Sequence, residues 1–381
     1  MNSFAPVYLD HNATTPLLPE VVEAMLPYLL EHFGNPSSSH AVGQRAKQAV
    51  SCARQQVAAL LGCQDDEVFF TSGGTEANNL AIRGVAEALP QRRRLVTSAI
   101  EHPATEKPCQ WLAAHGHDIK RIQSDTEGRV RLPHAAELID QETALVTVMH
   151  SNNETGVLQP IAQLAELAHR HGALLHTDAA QSLGKVAVDV NELGVDLLSL
   201  AGHKLYAPKG VGALYVRRGT PILPLVLGAG HERGLRPGTE NVASIVALGQ
   251  ACEIARVTLT QEHVRQSQLR DRLWLALLAQ VPGLALNGHP QLRLPNTLNV
   301  RFPRASGTAL LAACPDVAAS TGSACHDGGE TASAVVLALG VGALDALGAV
   351  RLTLGRGTSA ADIDRAAQAL VQAWQQTAVA G

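Results

Sequence analysis

Lysine, aspartate and histidine each stand in this sequence where an apolar run stops. Lys204 follows VDLLSL (195–200), in SLAGHKLYAPKG. Lysine seldom closes a core strand without a partner, and partial desolvation lowers its pKa and makes it an amine nucleophile. Asp178 closes ALLHTDA (173–179), with Gln181 one helical turn later. A carboxylate in that position is costly unless it meets a cation. His102 follows RLVTSA (94–99) and precedes a proline, where it could stack on a flat ligand and exchange protons. In TSGGTEANN (71–79) a strand pattern ends, two glycines turn, and Thr75 opens a helix. Free N–H groups and the dipole at such a start attract an anion. STGSACHDGGE (320–330) sets Cys325 among small residues, beside His326 and Asp327. Nothing there is apolar enough to bury it, so it reads as a thiol carried on a loop, unlike most free cysteines.

Singly, each feature has an ordinary structural explanation. Thr75 could be a plain N-cap, Asp178 a helix cap, Lys204 a snorkelling side chain and His102 a structural histidine. Together they describe one ligand. An anchored phosphate wants the glycine–threonine helix start, a pyridinium nitrogen wants a strand-end aspartate, and an aldehyde wants a lysine. That ligand is pyridoxal 5′-phosphate. The loop after Lys204 has no Walker spacing and is not a P-loop.

The elements that must position these residues are read from hydrophobic periodicity. Short apolar runs predict strands at EVFFTSGG (67–74), 94–99, ALVTVM (144–149), 173–179, 195–200 and GALYV (212–216). Helical patterns lie between several of them: 36–61, opened by Asn35-Pro36 and closed near Gly62, then 75–89 and 160–171. Strands alternating with helices imply a largely parallel sheet with right-handed crossovers. In such sheets ligands bind at the carboxyl ends of the strands, where the unusual residues fall. A long helix is expected over roughly 240–280. Strands NTLNVRF (296–302) and AVRLTLG (349–355) then build a smaller α+β unit. The expected division is a large domain over 15–260, and a small domain made of 1–14 and 261–381.

Composition bounds the partners. The 381 residues are 46% hydrophobic, 17% charged and 3% aromatic, with a net charge of −4. This fits a globular chain with an aliphatic, alanine-rich core and argues against a nucleic-acid surface. The Arg92-Arg93-Arg94 run is expected as a solvated loop before a strand. Cys52, Cys63, Cys109, Cys252, Cys314 and Cys325 show no metal spacing and suggest a reducing compartment. The five other than Cys325 lie in helical or apolar settings and are expected to be structural. The N-terminus lacks a signal-peptide pattern, and no stretch reaches the roughly 18 uncharged apolar residues of a membrane helix. A cytoplasmic protein is expected.

The sequence resembles the cysteine desulfurases and the related selenocysteine lyases, pyridoxal-phosphate enzymes of fold type I in the class V aminotransferase group. The matching stretches are YLDHNATTPL (8–17), FGNPSSSH (33–40), FTSGGTEANN (70–79), EHPA (101–104), HSNNETGVLQPI (150–161), HTDAAQSLGK (176–185), GHKLYAPKGVGALYV (202–216), RPGTEN (236–241), LPNTLN (294–299), GSACH (322–326) and VRLTLGR (350–356). They run almost end to end. The resemblance implies that Lys204 links covalently to the cofactor aldehyde and that Asp178 pairs with the ring nitrogen. It implies that Gln181 bonds the ring hydroxyl, that His102 stacks on the ring, and that Gly74, Thr75 and His203 bind the phosphate. Thr239 would reach the phosphate of a neighbouring subunit, which implies a homodimer. Asn153 would serve cofactor and substrate, and Arg351 would take the substrate α-carboxylate as a bidentate fork. Lys204 would move the Cα proton. Cys325 would attack the sulfur of L-cysteine, leaving L-alanine and a persulfide for an acceptor protein that the sequence does not name.

The chain also departs from the family. Where a phosphate-binding serine is usual, three residues before the lysine, it has Ala201. ACH with an acidic, glycine-bearing stretch after it, and GHERGLRPGTEN, resemble the selenocysteine lyases. The tail after Arg351 is shorter than the extension with which scaffold-feeding desulfurases dock. A selenocysteine lyase, a lyase or aminotransferase for another amino acid, and a silent scaffold subunit are the alternatives.

Overall fold

The computed structural model describes residues 5–322 and 331–378. Its centre is a seven-stranded sheet. The strand order is Val68–Thr71, Gly212–Val216, Leu197–Ala201, Leu174–Asp178, Thr143–Thr147, Arg94–Ser98 and Asp118–Ile122. The last five of these are mutually parallel, and Gly212–Val216 runs antiparallel to both its neighbours. The largely parallel sheet expected from the alternating pattern is therefore present, with one reversed strand. Asp118–Ile122 went unread because DIKRI is polar and lies half-buried at the sheet edge.

Alternation along the strands builds two cores. Val96, Val146, Leu198 and Tyr215 point to one face, where they meet Val57, Leu61, Leu164 and Leu248. Their sequence neighbours Leu95, Leu145, Leu197 and Leu214 point to the other face and meet Leu80, Val85, Cys109 and Leu112. Strands buried on both faces read as continuous apolar runs, as LLSLA does at 197–201.

A third core gathers Val7, Leu9, Leu273, Leu277, Leu298, Val300, Val350, Leu352, Leu370 and Trp374. It lies under the antiparallel sheet of Ala349–Thr353, Thr297–Arg301 and Ala285–Leu286. The helix Val242–Leu278 serves two cores, burying Ile245, Leu248, Cys252 and Ala255 in the first and Leu273 and Leu277 in the third. This helix is long and apolar enough to cross a membrane by length and composition, but 56% of its apolar window is buried inside the protein. Its apolar content is explained by core packing.

Two local expectations are corrected. The helix expected from Asn35-Pro36 begins at Ala41. Asn35 accepts from the Ser37 N–H and the Ser38 N–H, making a turn, and His40 Nδ1 then caps the helix through the Gly43 N–H. In the arginine run, Arg93 is exposed in the loop before the strand as expected, while its two neighbours are bonded rather than merely solvated. Arg94 pairs with Asp118 at 2.8 Å and with Asp140, while Arg92 donates to the carbonyls of Gly172 and Thr143.

Candidate active site

Strands Arg94–Ser98, Thr143–Thr147, Leu174–Asp178 and Leu197–Ala201 release their chains at one edge of the sheet. Thr71 leaves at that edge too, since its strand and Leu197–Ala201 both run antiparallel to Gly212–Val216. These strand exits carry Gly73-Gly74-Thr75, His102, Asn153, Asp178 itself, and His203-Lys204. A parallel sheet thus collects residues far apart in sequence.

Lys204 sits on the short helical turn Gly202–Lys204, one turn beyond its strand. Its Nζ donates to the carbonyl of Asn12 at 2.5 Å and to that of Ala13 at 2.7 Å. Desolvation, then the positive charge of Arg351, pulls its pKa down to about 8 against Asp178 and Asp10. Asp178 is buried, with neutral partners. Oδ2 accepts from Asn78 Nδ2 at 2.6 Å and Oδ1 from the Ala180 N–H at 2.9 Å.

His102 caps the helix Pro103–Ala114, its Nδ1 accepting from the Ala104 N–H at 3.1 Å. The proton of the neutral ring therefore sits on Nε2. Solvent reaches His102, yet the groups around it lower its pKa: desolvation first, then Lys204 and Arg351, with Asp178 opposing. The preceding Glu101 pins this turn to the next strand exit, accepting from the Met149 N–H at 3.0 Å and from Ser98 Oγ. Desolvation raises the Glu101 carboxyl to about 8.

Gly73 takes φ 150°, and the helix Gly74–Ala88 has no side-chain cap, so its first-turn N–H groups remain for an anion. The turn lies tight on the sheet: a Cβ on Gly212 would stand 2.7 Å from Gly73 Cα. A Cβ on Gly74 would stand 3.2 Å from the methyl of Ala201. Thr75 is exposed. His203 is half-buried, with Nδ1 3.2 Å from Thr14 Oγ1. Desolvation and Lys204 push its pKa down to about 4.

Arg351 comes from the other sheet, at the centre of Ala349–Thr353. Nη2 pairs with Asp10 at 2.8 Å and Nη1 donates to the Asn153 carbonyl at 3.1 Å. Its Nε is buried without a partner among the described residues. The charges of Asp178, Lys204 and Arg351 act on His102, and those of Asp178 and Arg351 on Lys204; Asn12 links Lys204 to Arg351, its carbonyl taking Lys204 Nζ and its Nδ2 reaching the Asn153 carbonyl that also holds Arg351. Gln181 joins them, its Nε2 donating to the Asn12 carbonyl at 3.0 Å. Thr239 is exposed, on a loop that Arg236 ties to Glu76 in the first turn of Gly74–Ala88 at 2.8 Å; it makes none of the contacts that unite the others among the described residues. Cys325, with His326 and Asp327, lies outside the described residues. The chain ahead of it does reach the site, since Ser320 forms an isolated antiparallel bridge with Arg351, whose N–H bonds the Ser320 carbonyl at 2.7 Å.

Sequence reasoning missed Asn12. Its carbonyl takes Lys204 and Gln181, its Oδ1 takes Lys185 at 3.1 Å and Asn296 at 3.1 Å, and its Nδ2 reaches Thr297 Oγ1 at 3.0 Å. No periodicity marks it, because its partners lie up to 341 positions away. Lys185 was also missed, although its place four residues after Gln181 in HTDAAQSLGK was a usable signal.

Residues 7–366 match the model of the class-V aminotransferase family. The cysteine desulfurase NifS of Azotobacter vinelandii is 46% identical over 95% of this chain and 90% of its own length. The cysteine desulfurase IscS of Methanosarcina thermophila is 44% identical over 94% of this chain and 89% of its own. Among solved structures, a NifS-like protein superposes with a TM-score of 0.91 at 34% identity, covering 97% of this chain and 100% of that one. DndA of Streptomyces lividans gives 0.78 at 36% identity, covering 91% and 99%. With the parallel sheet, the strand-end lysine and aspartate, and relatives that match nearly from end to end, the chain belongs to the class-V aminotransferase family.

Proposed function

We propose that this protein is a pyridoxal-phosphate-dependent cysteine desulfurase that converts L-cysteine to L-alanine and passes the sulfur, through a persulfide on Cys325, to an acceptor. The observation that carries this reading is that Lys204, Asp178 and His102, at the strand exits of the large sheet, meet Arg351 of the smaller sheet, with Lys204 and Arg351 joined through Asn12 and the Asn153 carbonyl. The names of the curated relatives support the same chemistry.

The residues present fit the cofactor. Asp178 is a buried carboxylate that accepts its hydrogen bonds from neutral donors, Asn78 and the Ala180 N–H, which suits a protonated ring nitrogen. Desolvation lowers Lys204 to about 8, which raises the share of free amine near neutral pH. The uncapped helix start at Gly74 suits a phosphate. Bound there, pyridoxal phosphate supplies the electron sink for breaking bonds at the substrate's α and β carbons.

The chain's own residues do the rest. Arg351 offers the substrate carboxylate a buried guanidinium with an unpaired Nε–H. Asn153 orients that guanidinium through its carbonyl. Lys204 takes the Cα proton when its amine is free. Cys325, as thiolate, attacks the substrate sulfur. An S–S bond forms, the C–S bond breaks with its electron pair staying on carbon, and that carbon takes a proton. Thiol and cysteine become persulfide and alanine, so the step balances without an external oxidant.

A homodimer is part of this reading. Phe33 and Leu227 stand 82% and 86% exposed, and large apolar side chains of that exposure favour a covering partner. Sedimentation of the holoenzyme tests it. The activity is tested by measuring alanine release from L-cysteine and from L-selenocysteine. Turnover of cysteine is expected. Turnover of selenocysteine alone would transfer the protein to the lyases, and inertness toward both would refute the proposal.

A further inference from the structure

Lys185 is buried, 7% exposed, and the activity above gives it nothing to do. Its Nζ contacts Gln181 Oε1 at 3.0 Å and Asn12 Oδ1 at 3.1 Å, both neutral. The charges that act on it, Lys204 and Arg351, are both positive. An ammonium buried among neutral acceptors and like charges is costly, so this site retains it against its electrostatic interest.

An ammonium donates and never accepts. The amides of Gln181 and Asn12 each have two orientations of nearly the same shape. Facing Lys185, each must present its oxygen. Gln181 Nε2 is then turned the other way, to the Asn12 carbonyl at 3.0 Å. That carbonyl also holds Lys204 Nζ at 2.5 Å. Asn12 Nδ2 is likewise turned away, to Thr297 Oγ1 and the Asn153 carbonyl. Lys185 is thus linked to the Gln181 amide and the Lys204 amine through one shared residue. Burial brings the Lys185 pKa down to about 7, yet both contacts are N–H donations, and a neutral amine can still make them.

We propose that Lys185 is the positioning residue of the cofactor site: it fixes the amide orientations of Gln181 and Asn12, so that Gln181 presents N–H toward the cofactor and Asn12 presents its carbonyl to Lys204. This rests on the pyridoxal-phosphate reading above. The test uses the full-length protein stripped of cofactor, titrated with pyridoxal 5′-phosphate, for wild type, Lys185→Met, Gln181→Ala and the double variant. Melting temperatures of the stripped proteins check folding.

Lys185→Met is expected to weaken binding about tenfold, the scale of one charge-assisted hydrogen bond. It is also expected to shift the absorbance maximum of the bound cofactor, which reports on the ring hydroxyl. In the double variant the loss falls well short of the product of the single losses, because Lys185 acts through Gln181. Lys185→Gln serves if the methionine variant does not fold. Its amide can turn its oxygen toward Gln181, and the same weakening and the same shortfall are expected. Wild-type affinity and spectrum in the folded variant, or losses that multiply, would overturn the assignment of Lys185 alone. A wild type that takes up no cofactor would overturn the cofactor reading together with it.

Discussion

Replacing Asp178 with asparagine removes a charge and almost no volume. Asp178 Oδ1 accepts from the Ala180 N–H at 2.9 Å, a bond that an asparagine oxygen keeps. The new amide nitrogen would then face Asn78, which donates to Oδ2 at 2.6 Å. Asn78 can answer by turning its own amide, since its Oδ1 is buried without a partner among the described residues. The fold should therefore survive, with a melting temperature close to wild type. On the proposed reading, what is lost is a charge-assisted hydrogen bond to the cofactor's ring nitrogen, about 1.5–3 kcal/mol, or roughly 10- to 150-fold in cofactor affinity. Turnover should fall further than affinity, because the ring withdraws electrons poorly when its nitrogen is unprotonated. The assay is a cofactor titration of the stripped variant, then turnover of L-cysteine at saturating cofactor. Wild-type affinity and turnover in a folded Asp178→Asn protein would refute the assignment of this carboxylate.

The same geometry sets three further outcomes. Arg351→Lys gives up the fork that contacts Asp10 and Asn153 and should raise KM for L-cysteine by about 10- to 100-fold with a smaller change in kcat; an unchanged KM would count against it. The rate of cofactor uptake by stripped protein should rise with pH and level off above about 8. The attacking form of Lys204 is the free amine and its pKa is lowered to about 8, so a rate still climbing tenfold per pH unit toward pH 10 would contradict the desolvated lysine. His176 is fully buried between Thr147 Oγ1 and Ser199 Oγ, and desolvation lowers its pKa from 6.5 to about 3. The unfolded chain then takes the proton first as pH falls below 6.5, so stability drops between pH 6.5 and 3. At pH 4.5 this one group costs about 2–3 kcal/mol, a loss that urea titrations should find reduced by that amount in His176→Gln.

The large sheet was legible in the sequence because its strands are buried on both faces and carry unbroken apolar runs, as at 143–147 and 197–201. The edge strand Asp118–Ile122 escaped because it is half-exposed and polar. The short strands Val7–Tyr8 and Val317–Ala318 also escaped, since two residues carry no period. Site residues at strand ends were legible for a local reason: Lys204 and Asp178 break apolar patterns. Asn12 and Asp10 were not. Asn12 and Asp10 lie in an irregular stretch near the N-terminus, and their importance comes from packing against Arg351, Thr297 and Lys204, which the chain brings together only on folding. The start of the helix at Ala41 depended on a histidine cap and an asparagine turn, where the X-Pro signal at Asn35 pointed earlier.

The defining step of the proposed reaction is the departure of sulfur from L-cysteine to Cys325, at a site built by Lys204, Asp178 and Arg351. It is isolated by giving holoenzyme L-cysteine without reductant and quantifying alanine and protein-bound persulfide, in wild type and in Cys325→Ala. One equivalent of persulfide on Cys325 is expected for the first equivalent of alanine, with neither product in the variant. Alanine and sulfide formed by Cys325→Ala at the wild-type rate would contradict the persulfide step.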